Sequence, residues 1–313
     1  MRAFVQKNID RICVACIVAA LVITLLFMNG ESFGIESIVD EDAEMYSSSI
    51  HFTTNDLNPE WTSSGATTIE LKGEEAKVSG GGAYAYEGGV VIGQAGDYVI
   101  SGQLTDGSIL VDTNNAAKVW IRLDGADLYC SDSAAFRVEQ ADKVFLTLAE
   151  GSENRIASGA EYSQDAEDGS VNGALYSRDD ITINGAGSLG VEGPYRHGIV
   201  VNDGRVITGG TISVSAASDA IHANDSVRLR EAAVSLEAGD DGLAVAKEDG
   251  YFYMESGSLV IDSEDDAVHT AGDIEVAGGD IEIAAADDGM HSDTAMTISD
   301  GKLRIAECYE GLE

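Results

Sequence analysis

The sequence predicts an all-β protein built as a right-handed, single-stranded parallel β-helix, a solenoid with coils of about 22 to 25 residues. Three observations predict this fold. The composition favours strands and tight turns, since the 313 residues include 36 Gly, only 2 Pro and 6% aromatic residues. A short motif returns at a nearly fixed spacing. Between its copies, apolar and polar residues alternate with the period of a β-strand.

The repeated motif is a polar or acidic residue followed by a small residue and an apolar one. Successive copies are separated by 25, 22, 22, 25, 22 and 22 residues. Each interval also holds two alternating segments joined by a turn, so one period supplies three strands with aliphatic side chains inward. Leucine-rich repeats and β-propeller blades have other patterns. The seven copies are NGAL, HGIV, DAIH, DGLA, DAVH, DGMH and EGLE, beginning at Asn172, His197, Asp219, Asp241, Asp266, Asp288 and Glu310.

The first 30 residues differ from the rest of the chain. A basic flank precedes 17 apolar or neutral residues at 12–28, a pattern typical of a secretory signal or a membrane span. We therefore expect residues 1–30 to be a signal peptide or an N-terminal membrane anchor, with the acidic remainder exported. Beyond this segment the cysteines are Cys130 and Cys308, 178 positions apart. In an elongated stack we expect no disulfide between them.

The exported part divides into three segments. Residues 31–60 are acidic and weakly patterned, and are expected to form a linker. Residues 61–171 show strands at less regular intervals, so we expect irregular coils there, with the solenoid beginning near Gly88 and an excursion at 158–170. Residues 172–313 are expected to form the regular coils. Because they end inside the seventh motif, we expect the last coil to fray or to be covered by a partner.

The formal net charge of the chain is −37. Such an acidic excess disfavours binding to nucleic acid or to anionic surfaces, and its self-repulsion destabilises a compact fold unless cations neutralise it. The charge has two interpretations, solubility on an acidic bacterial surface or binding of calcium.

The positions of the acidic residues favour calcium. Equivalent residues of successive parallel coils lie about 4.8 Å apart, so the motifs predict two columns of stacked side chains, one headed by Arg196 and one by His197. Stacked carboxylates repel unless they are protonated or share a cation, and calcium takes about six to eight oxygen ligands. Solvated turn carboxylates are the alternative. The predicted calcium ligands are Asp219, Asp240, Asp241, Asp265, Asp266, Asp287 and Asp288.

Histidines and tyrosines supply the candidate sugar contacts, since sugar sites present aromatic and polar groups on an extended face. The three histidines of one column point outward, although Ala244 interrupts that column. Solvated or mutually stacked imidazoles are the alternative for the histidines. For the tyrosines, the alternative is that they lie along the surface while Phe252 packs inside. The predicted carbohydrate-binding residues are Tyr251, Tyr253, His222, His269 and His291.

The stretch NGALYSRDDITINGAGSLGVEGPYRHGIV, with DDGLAV, DDGMHS and YEGLE after it, resembles the extracellular carbohydrate-binding β-helix proteins of clostridia and related Gram-positive bacteria. The resemblance covers roughly residues 45–313. It implies a fold like that of pectate lyases, bound calcium, and binding of cellulose or acidic sugars such as polygalacturonate.

Three functions follow as hypotheses. The first is an extracellular or cell-surface protein that binds plant cell-wall polysaccharide, either polygalacturonate (pectin) or cellulose, with calcium. The second is a pectate-lyase-like enzyme, which needs a base beside the metal. Lys247 is the candidate base, and a charge partner for its acidic neighbours is the alternative role. The third is a structural surface adhesin.

Overall fold

A computed structural model of the chain describes residues 51–60, 65–162, 171–285 and 287–313. Within these ranges the regular structure consists of β-strands. Among the residues described, none forms a helix with the length and apolar character that a membrane crossing needs. The predicted export segment and most of the predicted excursion at 158–170 lie outside the described residues.

The strands follow one another closely along the chain, with short turns between them. The first ten are β1 (Thr67–Gly73), β2 (Glu75–Ser79), β3 (Ala83–Tyr86), β4 (Gly89–Ile92), β5 (Gly96–Leu104), β6 (Ser108–Asp112), β7 (Lys118–Cys130), β8 (Phe136–Gln140), β9 (Lys143–Leu148) and β10 (Glu153–Ser158). The regular coils contain β11 (Gly173–Ser177), β12 (Asp180–Gly185), β13 (Ser188–Gly193), β14 (His197–Val201), β15 (Gly204–Ile207), β16 (Thr211–Ala216), β17 (Ile221–Ala223), β18 (Ser226–Leu229), β19 (Ala232–Ala238), β20 (Leu243–Val245), β21 (Tyr251–Met254), β22 (Gly257–Ser263), β23 (Val268–Thr270), β24 (Asp273–Val276), β25 (Asp280–Ala285), β26 (Asp288–Ser292), β27 (Met296–Ile298), β28 (Lys302–Glu307) and β29 (Glu310–Leu312).

Each regular coil contributes one strand to each of three faces. The motif face is the sheet β3-β4-β6-β8-β11-β14-β17-β20-β23-β26-β29. From β11 onward, each of its strands begins within a copy of the repeated motif. The second face contains β12, β15, β18, β21, β24 and β27, and the third face contains β13, β16, β19, β22, β25 and β28. The parallel strands stack as a β-solenoid of about nine turns, which confirms the predicted all-β solenoid.

The register of the motif face confirms the predicted repeat. Neighbouring strands of the regular coils are parallel, and inward aliphatic residues of successive motifs lie opposite one another, as alternation with a period of two requires. The paired residues are Ile199 with Ile221, Ile221 with Leu243, Leu243 with Val268, Val268 with Met290, and Met290 with Leu312.

The small second residue of the motif is explained by close packing between coils. A Cβ atom on Gly242 would lie 2.3 Å from Cγ2 of Ile261 and 2.6 Å from the carbonyl oxygen of Ala267. Alanine occupies the equivalent position at Ala220 and Ala267, where it is fully buried. Larger side chains do not fit, so the acidic residue before this position is held at the same place in each coil.

The amino-terminal end is built from two hairpins. β1 pairs antiparallel with β2, and β3 pairs antiparallel with β4. Parallel pairing begins between β1 and β5, earlier than the predicted start near Gly88. Partly buried Ala76, Val78 and Ala83 pack on the core here. The hairpins therefore shield the end of the stack, as the terminal unit of a solenoid must.

Residues 51–60, which the sequence placed in an acidic linker, lie on the second face, and we call them the strap. Phe52 is buried against Val206 and Tyr253. Asp56 is fully buried, and its Oδ1 lies 2.9 Å from Nζ of Lys143. Asp56 also accepts hydrogen bonds from the hydroxyl groups of Thr53 and Thr182. A hydrophobic anchor and a buried ion pair thus hold the strap on the solenoid.

Candidate functional site

The turns that precede the motif strands bring the predicted acidic residues into two columns. The outer column contains Arg196, Ser218, Asp240, Asp265, Asp287 and Tyr309, and the inner column contains His197, Asp219, Asp241, Asp266, Asp288 and Glu310. In the outer column, the backbone nitrogen of Asp265 donates to the carbonyl oxygen of Asp240 at 3.2 Å. In the inner column, backbone nitrogens donate to carboxylates instead, from Asp266 to Asp241 at 3.1 Å and from Asp288 to Asp266 at 2.9 Å.

Burial separates the two columns. Asp266 and Asp288 are buried, and Asp241 is half-buried. The carboxylates of Asp241 and Asp266 accept hydrogen bonds from the backbone of the next coil. Asp240 and Asp265 are exposed. The predicted stacking is confirmed by these contacts, and the exposed outer carboxylates form the surface that a ligand can reach.

Carboxylates of adjacent coils approach one another closely. One oxygen each from Asp240, Asp241 and Asp265 lies within 4.8 Å of the other two. Although Asp265 is exposed, partial desolvation by its neighbours raises the pKa of its carboxyl group, and the charges of Asp241, Asp240 and Asp287 raise it further. Burial likewise raises the pKa of Asp266, together with its acidic neighbours in the inner column. In both cases desolvation and neighbouring carboxylates outweigh the charge of His269, which lowers the pKa of Asp265 and Asp266.

Asp219 has a different environment from the other acids of the inner column. Its Oδ2 lies 2.7 Å from Nδ1 of His222 and 3.3 Å from Nδ1 of His197. Although burial opposes the shift, hydrogen bonds and charges of these two imidazoles hold the pKa of Asp219 well below its ordinary range. The hydroxyl oxygen of Ser218 lies 3.3 Å from Oδ1 of Asp219 and 3.2 Å from Oδ2 of Asp240, so its one proton is placed between the two environments.

His197 was not among the predicted site residues. Its backbone position in the column was predicted, but its contact with His222 requires the side chains of two coils and has no local signature in the sequence. The two rings lie with centroids 5.0 Å apart.

The other two predicted histidines also lie beside carboxylates. Nδ1 of His269 lies 3.4 Å from Oδ2 of Asp241, and this hydrogen bond, opposed by burial, raises the pKa of His269 to about 9. Nδ1 of His291 lies 3.3 Å from Oδ2 of Asp288. Their ring centroids are 5.0 Å apart, so the imidazoles are neither simply solvated nor stacked face to face. They are charge partners of the inner column.

The donor atoms fit calcium best where oxygen alone is offered. Calcium prefers carboxylate and carbonyl oxygens and tolerates an irregular arrangement of them. Asp240, Asp241 and Asp265 present such a set across two coils. Around Asp266, an oxygen set is joined by a nitrogen of His269 or His291, which calcium favours less.

The predicted tyrosines are less accessible than the sequence suggested. Tyr253 is 6% exposed, and its ring is stacked on that of His51 with centroids 3.7 Å apart. Tyr251 is half-buried beside the same imidazole. The strap covers this part of the second face, so Tyr253 offers no open ring to a sugar. Phe252 packs in the core, as the alternative interpretation required.

Other aromatic rings are open to solvent. Tyr309 in the outer column is 80% exposed, and Tyr84 and Tyr86 on β3 are 59% and 45% exposed. Tyr84 and Tyr86 were missed as candidates, although the alternation AYAY places both on one side of a strand.

Lys247 lies away from the acidic columns. It follows β20, whereas Asp240 and Asp241 precede that strand. Its ammonium group pairs with Asp225, and the hydrogen bond and charge of that carboxylate raise the pKa of Lys247. A lysine in this state is a poor base at neutral pH, and the charge-partner interpretation describes its contacts.

Comparisons with known proteins agree with this architecture. A family model described as carbohydrate-binding domain-containing protein matches residues 86–312. A relative of the same description from Acetivibrio thermocellus is 34% identical over 164 residues, 51% of this chain and 57% of the relative. The match thus spans little more than half of that relative. A solved structure of a polysaccharide lyase-like protein from C. thermocellum, a gadolinium derivative, is 30% identical with a TM-score of 0.64, over 79% of this chain and 100% of that one. The chain therefore belongs to the family of carbohydrate-binding domain-containing proteins, as the resemblance in the sequence predicted.

Proposed function

We propose that this protein binds an acidic polysaccharide outside the cell through calcium ions held by the two acidic columns. The observation that carries the proposal is the set of carboxylate oxygens that Asp240, Asp241 and Asp265 bring together from adjacent coils. The raised pKa of Asp265 supports a missing positive charge at this point.

A bound calcium ion allows this acidic protein to bind an acidic polysaccharide. With a net charge of −37, the chain repels a free polyuronate. A calcium ion bound by two or three carboxylates keeps coordination positions for further oxygens. The carboxylates of a polyuronate such as polygalacturonate, the acidic backbone of pectin, can fill those positions. The ligand is then held by the exposed outer column, where Asp265 and Asp287 face solvent.

Exposed tyrosine rings add a second, weaker contact. Tyr309 continues the outer column, so a sugar bound to the downstream coils lies within reach of its ring. Stacking on such rings is independent of charge. A neutral chain such as cellulose would use the tyrosines alone, and its binding would therefore not require calcium.

The location follows from the amino-terminal segment. Residues 1–30 carry the apolar run that we interpret as an export signal or an anchor. The proposal places the solenoid on the outer surface of a Gram-positive cell or free in its surroundings, where calcium and plant cell-wall polysaccharide are present.

A polysaccharide lyase is the alternative, favoured by the similarity to a lyase-like structure. Such a reaction needs a base beside the metal. Lys247 is paired with Asp225 and lies at the other end of β20, which argues against it as that base. Unsaturated product from polygalacturonate, measured by absorbance, would establish the lyase instead. If the protein binds no polysaccharide, the structural surface adhesin is the hypothesis that remains.

The proposal is tested by sedimenting the full-length protein with insoluble polygalacturonate, in calcium and in chelator. We expect retention in calcium alone and its loss in the double variant Asp240→Asn/Asp265→Asn. The matched control is Glu237→Gln/Asp262→Asn, because these exposed residues also lie opposite each other on adjacent coils, but on the third face. Equal retention in calcium and chelator would reject the role of calcium.

A further inference from the structure

At the upstream end of the inner column, Asp219 lies beside two imidazoles, whereas Asp241 and Asp288 further along each lie beside one at a comparable distance. Oδ2 of Asp219 lies 3.3 Å from Nδ1 of His197 and 2.7 Å from Nδ1 of His222. One ring nitrogen from each histidine and one oxygen of Asp219 all lie within 4.8 Å of one another. We propose that these three side chains bind zinc or a similar divalent transition-metal ion, at a site distinct from the proposed calcium sites.

The spacing of the donor atoms suits a four-coordinate ion. Zinc binds imidazole nitrogen at about 2.0–2.1 Å and carboxylate oxygen at about 2.0–2.2 Å, and tetrahedral geometry then separates two ligand atoms by about 3.3 Å. His197 and Asp219 already have this separation. His222 needs to retreat from Asp219 by about 0.6 Å. Without an ion, Nδ1 of His197 accepts a hydrogen bond from the backbone N–H of Asp219 at 3.3 Å, and a bound ion takes the place of this hydrogen bond at the ring nitrogen.

The donor set distinguishes this site from the all-oxygen set downstream. Imidazole nitrogen suits zinc, copper, iron and nickel, whereas carboxylate, carbonyl and water oxygens suit calcium. His197 and His222 contribute two nitrogens to one oxygen, while Asp240, Asp241 and Asp265 contribute oxygen alone. One continuous column therefore presents two classes of metal site, ordered along the stack.

The upstream ligands are held before the ion arrives. His197 and Asp219 are buried at the motif positions of two hydrogen-bonded coils. Oδ1 of Asp219 accepts a hydrogen bond from the hydroxyl of Ser218 at 3.3 Å, which leaves Oδ2 directed at the imidazoles, as an outer partner of a metal ligand does. The side chain of His222 is 28% exposed. His222 therefore lies at the solvent-facing side of the site, where a metal ion can enter. The fourth coordination position of the ion is open to water or to a ligand oxygen.

A second group of histidines offers the natural comparison. His269, His291 and Asp293 also have donor atoms within 4.8 Å of one another. The side chain of Asp293, however, is 56% exposed, and ordering it around an ion costs conformational entropy. We therefore expect the first transition-metal ion to bind at Asp219.

Cobalt(II) is the probe, because its visible absorption reports both binding and tetrahedral nitrogen and oxygen ligation. The full-length protein is stripped with chelator and titrated with cobalt chloride, and zinc is then added. We expect one equivalent of cobalt with tetrahedral absorption, displaced by zinc but not by an excess of calcium. In His222→Ala the affinity should fall at least about 100-fold, more than the loss of an outer partner causes. His291→Ala is the matched control and should bind as the unmodified protein does.

Four results would overturn the proposal: no cobalt bound, the same affinity in His222→Ala, loss of binding in His291→Ala, or displacement by calcium. If His222→Ala does not fold by circular dichroism, Asp219→Asn provides the same test with a side chain of equal size. Cobalt binding should persist in Asp240→Asn/Asp265→Asn, which removes two of the proposed calcium ligands, so failure of this proposal is distinguishable from failure of the proposed function.

Discussion

Two acidic regions of the solenoid differ in the charges that surround their carboxylates. Under the strap, the fully buried Asp56 meets Lys143, and this charge, together with hydrogen bonds from threonine, lowers its pKa although burial opposes the shift. In the downstream columns, Asp265 and Asp266 meet other carboxylates, and their pKa values are raised. The protein supplies the positive charge in the first region. In the second, His269 and His291 lie beside the inner acids, and the exposed outer carboxylates keep a negative excess that a cation from outside can neutralise.

The largest effect is expected from a substitution that breaks the ion pair between Asp56 and Lys143. Asp56→Asn leaves the buried ammonium of Lys143 without its carboxylate, and removing one partner of a buried pair costs about 3 kcal/mol or more. We expect the free energy of unfolding in urea to fall by about 3 kcal/mol. Glu60→Gln is the matched control, because this exposed carboxylate lies on the same strap, and it should change the value by less than about 0.5 kcal/mol. Equal effects of the two substitutions would contradict the pairing.

The second largest effect is expected when calcium binds to the downstream columns. A ligand present at about 100 times its dissociation constant stabilises the state that binds it by about 2.7 kcal/mol, roughly 5 °C in the melting temperature of a chain of this size. We expect calcium to raise the melting temperature of the full-length protein by about this amount, and to have little effect on Asp240→Asn/Asp265→Asn. An unchanged melting curve after chelation would reject calcium as a stabilising ligand.

The two regions should also respond to pH with opposite signs. Asp56 has a folded pKa below the ordinary 3.8, so its contribution is present above pH 3.8 and is lost as the pH falls through the folded value. Asp265 has a folded pKa above 3.8, so calcium-free protein loses stability as the pH rises from 3.8 through that value. Urea unfolding across pH 2 to 6 should show the first slope disappear in Asp56→Asn and the second weaken in Asp265→Asn. Slopes of the same sign would contradict the comparison.

The smallest effect is that of a single outer carboxylate at neutral pH. Without calcium, Asp265→Asn removes repulsion from an exposed group and should stabilise the protein by a few tenths of a kcal/mol. With calcium, the same substitution removes a ligand and should destabilise it relative to the unmodified protein. Destabilisation under both conditions, measured by thermal unfolding, would show that Asp265 has a structural role instead.

The sequence predicted those features that depend on spacing along the chain. The 22- and 25-residue steps fix which residues stack, so the pairing of Ile199 with Ile221 and the order of the acidic columns were predictable. The small residue after each acid was visible in the motif, and the packing around Gly242 supplies its physical reason.

Contacts between distant segments were not predictable in this way. The strap pairs Asp56 with Thr182, 126 positions later, and acidic composition alone suggested a linker. The burial of Tyr253 follows from the same strap. The contact between His197 and His222 was not predictable either. Both residues belong to copies of the motif that also supplies the downstream carboxylates, and only the positions of the side chains show that the two rings meet.

Titration calorimetry of the full-length, chelator-treated protein measures directly whether the downstream columns bind calcium. We expect heat of binding in the unmodified protein and in Glu237→Gln/Asp262→Asn, and its loss in Asp240→Asn/Asp265→Asn. Equal binding by all three proteins, or binding by none, would contradict the claim that the downstream columns obtain their positive charge from calcium.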